Sequence, residues 1–119
     1  MTQQKSFTQV ENALLPKFRN TLNQARSTED VKKMFNYCMR DLFRDVSDGK
    51  LEVGMEDIFL KPETETYQIS ESFRNLDAFV QAWTDSDLSR IVGRFAEICL
   101  HQYAHLAKNP EKTEAKIRR

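Results

Sequence analysis

The chain has 119 residues, 39% hydrophobic and 30% charged, with 18 basic residues against 18 acidic ones. The length suits one domain around one core, and the even charge balance argues against a generic nucleic-acid binder or a polybasic membrane surface, which draw on excess positive charge. Three glycines and three prolines beside eight phenylalanines supply too few turn residues for a β-sandwich or barrel, so the composition points to a mainly α fold.

Residues 1–6 are polar and are expected to fray. No apolar stretch resembles a secretion signal or approaches the ~18 residues of a membrane span, so the chain reads as soluble, cytoplasmic and without a membrane partner. A first helical pattern covers 7–26, with Phe7, Val10, Leu14, Phe18, Thr21, Leu22 and Ala25 on one face. Pro16 falls on the polar side and the stripe keeps its phase across it, which predicts a kinked but continuous helix.

Ser27-Thr28-Glu29-Asp30 is a helix start: a hydroxyl for the free N–H groups and two acids for the positive end of the dipole. The strongest periodicity follows. Val31, Met34, Phe35, Cys38, Met39, Leu42, Phe43 and Val46 form a stripe wide enough to face a shared core. Asp48-Gly49 ends it, Gly49 being able to take a left-handed cap.

Over 50–70, β-branched and aromatic residues at Ile58-Phe59-Leu60 and Tyr67-Gln68-Ile69 flank Lys61–Thr66. This predicts a small β-hairpin, with a short helix at 55–60 as the rival, since Leu51, Met55, Ile58 and Phe59 also keep a helical period. Ser70 or Ser72 then caps a third helix carrying Phe73, Leu76, Phe79, Val80 and Trp83. After a polar turn at 84–87, read as the next N-cap, a fourth helix runs over 87–108. Its stripe is Leu88, Ile91, Val92, Phe95, Cys99, Gln102, Tyr103 and Leu106. Residues 109–119 are charged and lack a core face, so they read as a flexible end. The expected architecture is a single domain over 1–119: four amphipathic helices in a bundle, with the excursion at 50–70. Cys38 and Cys99 read as buried free thiols in a reducing compartment.

Function is far less legible, and no segment resembles a known family closely enough to name. Glu97, His101 and His105 share one helix face at i, i+4 and i+8, a spacing that can hold a metal. They lie beside Arg90, Arg94 and Lys108, so a solvated face is the plainer reading and no metal or cofactor is expected. Lys33, Arg40 and Arg44 on one helix and Arg90 and Arg94 on another are basic stripes that could track phosphates. Asp41, Asp45 and Glu97 interrupt them. No nucleophile–base pair, Gly-rich phosphate loop or dinucleotide fingerprint is present. Apolar residues on helix flanks point elsewhere: Tyr37, Phe43, Phe59, Trp83 and Leu100 are candidates for an exposed aromatic patch. The leading expectation is a non-enzymatic protein-interaction module, self-associating or bound to a protein partner. A nucleic-acid-binding protein and a metal-dependent enzyme are the alternatives.

Overall fold

Helix α2 (Thr28–Val46) is the element against which the others assemble. Its N-terminus is capped by Ser27, whose hydroxyl accepts the Asp30 N–H at 3.1 Å. Its stripe is buried as the periodicity predicts: Val31, Phe35, Met39, Leu42 and Phe43 are fully enclosed. The helix stops where Asp48 and Gly49 turn to positive φ (56° and 84°), and the Gly49 N–H returns to the Arg44 carbonyl at 2.8 Å, closing a carbonyl left open at the helix end.

The computed structural model describes residues 6–84 and 86–108. In chain order these hold α1 (Thr8–Leu22), α2, β1 (Ile58–Lys61), a 3₁₀ turn (Pro62–Thr64), β2 (Thr66–Ile69), α3 (Glu71–Arg74), α4 (Asp77–Trp83) and α5 (Leu88–Lys108). The mainly α fold with a two-stranded hairpin is therefore present, and the short-helix rival at 55–60 is not. Most of the expected flexible ends fall outside the described residues.

Helix α1 runs through Pro16 and ends at Leu22, four residues short of the expected boundary. It packs on both α2 and α5; Phe18 meets Phe95 edge-on with ring centroids 5.0 Å apart, a favourable geometry for aromatic quadrupoles. The hairpin packs its own strands on that pair, β1 on α2 and β2 on α5. Asn36, buried on α2, donates from Nδ2 to the carbonyls of Gly54 and Ile58, each at 3.0 Å, and so fixes β1 to the helix. The strands are antiparallel, with Ile58 opposite Ile69 and Leu60 opposite Tyr67. Ile58, Leu60 and Ile69 are buried, which leaves Phe59 on the outer face.

The third predicted helix is two pieces. Ser70 caps α3, accepting the Phe73 N–H at 3.3 Å. The chain then leaves helical geometry at Leu76 (φ −70°, ψ 134°) and restarts as α4. The physical reason lies in the side chains. On one unbroken helix, Phe73 and Phe79 would point about 120° apart. With the break, both rings reach Phe43, at 5.6 and 5.9 Å, and each other, at 5.4 Å.

Asp87 is a second correction. It directly precedes α5, yet its carboxylate caps a different helix. It accepts the Phe7 N–H at 2.8 Å and the hydroxyls of Ser6 and Thr8 at 3.1 and 3.2 Å. Ser6, expected in the frayed end, is thereby tied down. At the start of α5 itself the Leu88 N–H goes to the Ser86 hydroxyl at 3.2 Å. Partial burial pushes the Asp87 carboxyl up, but the N–H of Phe7, the two hydroxyls and its own N–H together outweigh this, and the net shift is downward from 3.8.

A lowered folded value means that the contact stabilises the fold fully above the ordinary carboxylate range and fades as pH falls through the lowered value. Asp87→Ala should cost about 0.5–2 kcal/mol near neutral pH. Parallel urea titrations of the two proteins should show that difference hold between about pH 7 and 5 and close below about pH 4. A difference that ignores pH contradicts this role.

Candidate interaction surface

Helix α4 is seven residues long, too short to bury every apolar residue it carries. Phe79 turns inward and is buried, whereas Leu76 and Val80 are 46% and 47% exposed. Trp83 lies between these two faces on the helical wheel. It stacks on Phe79 with centroids 5.1 Å apart and planes at 19°, and is half-buried. The aromatic stack thus starts in the core at Phe43 and surfaces at Trp83, flanked by two exposed aliphatic side chains. Sequence periodicity assigned Leu76 and Val80 to the same stripe as Phe79; the break at Leu76 is what turns them to solvent.

On the inner side of Trp83 an open groove of about 1250 Å³ runs between β2 and α4. One wall is the strand, Thr66 to Ile69. The other is Phe79 and Trp83, with Glu71 and Arg74 at the rim. A smaller cleft of about 400 Å³ shares Thr66 and Tyr67 with it and continues past Glu65 to α5, where Gly93, Ala96, Glu97 and Leu100 form the wall. Together they make one channel along β2. Both side-chain parities of the strand line it, which is the signature of a strand edge and not of a sheet face.

Of the expected aromatic patch, Trp83 and Leu100 line this channel, at its two ends. Tyr37 does not join them. It is 49% exposed on the α1–α2 side, with the Arg40 guanidinium 5.7 Å from its ring centroid. Phe59 sits half-exposed on the outer face of the hairpin. Phe43 is corrected outright: it is fully buried, because α3 and α4 fold over the flank of α2 that a four-helix bundle would leave open.

The basic stripes are largely occupied by acids. Arg90 and Arg94 reach the Glu11 carboxylate at 3.5 and 3.0 Å, and Glu11 is only 2% exposed. Arg90 also meets Asp87 at 3.5 Å. Arg44 pairs with Asp41 at 3.0 Å and approaches Asp45 at 3.9 Å. Lys33 is exposed on α2. Glu11 escaped the sequence reading, because an acid between apolar stripe residues looks like any solvated helix position. Its only sequence signal is that it sits one residue after Val10 and three before Leu14, on the edge of the buried face.

Glu97 and His101 are exposed on α5, as is His105. Among the described residues no three His, Cys, Asp or Glu side chains gather in a way that could hold a metal. Cys38 and Cys99 are buried free thiols. Burial pushes both well above the usual thiol range; Asp41 adds to the rise at Cys38, and Cys38 to that at Cys99. Thiols held this firmly protonated are poor nucleophiles and metal ligands. No described helix is long and apolar enough to cross a membrane. Comparison with protein-family models, with curated proteins and with solved structures finds no match.

Proposed function

We propose that this protein is a small, non-catalytic interaction module that self-associates through the outer face of α4. The observation that carries the reading is the exposure of Leu76 and Val80, nearly half of each, beside a tryptophan stacked on the core. Leaving such a cluster in water forfeits roughly 25 cal/mol for every Å² of apolar surface, and covering it recovers that. A twofold arrangement suits the face. Two antiparallel copies of α4 set Leu76 of one against Val80 of the other, and the same pair recurs by symmetry. The equal numbers of acidic and basic residues leave little long-range repulsion between copies.

A seven-residue helix spans only ~10 Å, well short of the ~800 Å² per partner of a standard interface. The association is therefore weak and reversible, in the micromolar range or above. The two reduced, buried thiols fit a reducing compartment, and the reading includes a cytoplasmic location.

Sedimentation velocity across a hundredfold range of protein concentration tests the proposal. The parent chain should shift from monomer toward dimer as concentration rises. The double substitution Leu76→Glu with Val80→Glu should stay monomeric with unchanged helix content, since both side chains already face water. A parent that remains monomeric at millimolar concentration defeats the self-association.

A further inference from the structure

The channel beside β2 is a different surface from the outer face of α4, and its chemistry points to a different occupant. Strand β2 has an open edge. The Ser70 N–H donates to the Asp57 carbonyl at 2.8 Å, which fixes the hydrogen-bonding parity of the ladder. Phe59:Gln68 and Lys61:Thr66 are then the bonded pairs, and the N–H and C=O groups of Ile58, Leu60, Tyr67 and Ile69 point away from the partner strand. On the β1 side the outward carbonyl of Ile58 is taken by Asn36. On the β2 side no hydrogen bond among the described residues engages the outward groups of Tyr67 or Ile69. Tyr67 and Ile69 both line the groove.

The opposite wall contains Gly93. In the interior of a 21-residue helix a glycine weakens the helix, and no packing demands it here: a methyl group at Gly93 would meet nothing within 4 Å. What the missing side chain leaves is open space on the α5 wall of the smaller cleft, beside the place where β2 packs on the helix. The rim supplies the sign of the charge. Glu65, Glu71 and Glu97 border the channel, and no ion pair among the described residues neutralises them; Arg74 is the one basic residue on the lining. A second copy of the chain would bring the same acids to the same rim, so like charges disfavour self-pairing at this edge.

We infer that the channel binds an extended basic peptide, added to β2 as a third antiparallel or parallel strand. Main-chain hydrogen bonds to Tyr67 and Ile69 hold it, alternate apolar side chains rest on Trp83, Phe79 and Leu100, and the intervening basic side chains meet the acidic rim. The inference rests on the reading of the protein as an interaction module, but on a surface that meets the self-association face only at Trp83.

The test uses the full chain and a fluorescein-labelled nine-residue peptide alternating lysine and valine, followed by polarisation at low salt. Saturable binding is expected, weakened at least tenfold by Glu65→Lys with Glu97→Lys, and at least tenfold when glutamate replaces lysine in the peptide. Gly93→Leu should weaken binding at least tenfold while its melting temperature stays near the parent's, because the change favours the helix and its Cβ meets no neighbour within 4 Å. Two N-methylated peptides probe strand addition without touching the protein. Methylation of the residues of one parity should cost at least tenfold, and methylation of the other parity should cost little. No saturable binding, or equal loss from both methylated peptides, or undiminished binding by folded Gly93→Leu, overturns the inference. Sedimentation of Gly93→Leu separates the two claims: intact self-association with peptide binding absent from the parent refutes the channel alone.

Discussion

Phe43→Ala should lower the free energy of unfolding by about 3–5 kcal/mol. The ring is fully enclosed and touches both Phe73 and Phe79, so its removal empties the point where α2, α3 and α4 meet. These two short helices, four and seven residues long, cannot hold their geometry by local hydrogen bonding alone; they depend on that aromatic contact. The loss would be a large share of the ~5–15 kcal/mol that typically separates folded from unfolded domains. Urea unfolding followed by circular dichroism measures it. Phe59→Ala, on the half-exposed outer face of the hairpin, is the control and should cost about 1 kcal/mol or less. Equal losses at the two positions would contradict the placement of Phe43 in the core and Phe59 outside it.

The second large effect comes from a charge. Glu11 is almost completely removed from water and is held by Arg90 and Arg94. Substituting both arginines by alanine leaves a buried carboxylate with neither cation, a change that costs about 3–5 kcal/mol in comparable sites. The guanidinium groups are themselves about half exposed, so water screens the attraction and the lower end of that range applies here. Each single substitution should cost less than half the double, because the remaining arginine still compensates the acid. Adding Glu11→Leu to the double variant should restore most of the stability, since an apolar side chain needs no counter-ion. Strictly additive losses, or no recovery with leucine, would show that Glu11 is better hydrated than its 2% exposure implies.

These two positions also show what could be read from the sequence and what could not. The stripe at 31–46 was legible because a helix on a core repeats its apolar residues every three or four positions, and six of the eight, from Val31 to Phe43, are buried. The hairpin was legible from β-branched and aromatic runs around Pro62. The cap at Ser27 could be read from four adjacent residues. Glu11 could not, because its partners lie 79 and 83 residues away, and periodicity carries no information about who sits opposite. Asp87 has the local pattern of an N-cap for its own helix, and only tertiary structure sends it to Phe7. The break at Leu76 was hidden because Phe73, Leu76, Val80 and Trp83 keep a helical spacing straight across it. For the candidate surface, Trp83 and Leu100 were singled out as flank residues, but the open edge of β2 is a property of what does not pack beside it.

Trp83 is the chain's only tryptophan, and it borders the proposed interface beside Leu76 and Val80. Its emission is therefore the most direct measurement of the central claim that the outer face of α4 is covered by a second copy. As protein concentration rises from micromolar to millimolar, the emission maximum should move to shorter wavelength and acrylamide quenching should weaken. Leu76→Glu with Val80→Glu should abolish both changes. An emission maximum and quenching constant that stay constant across the whole range would contradict the claim.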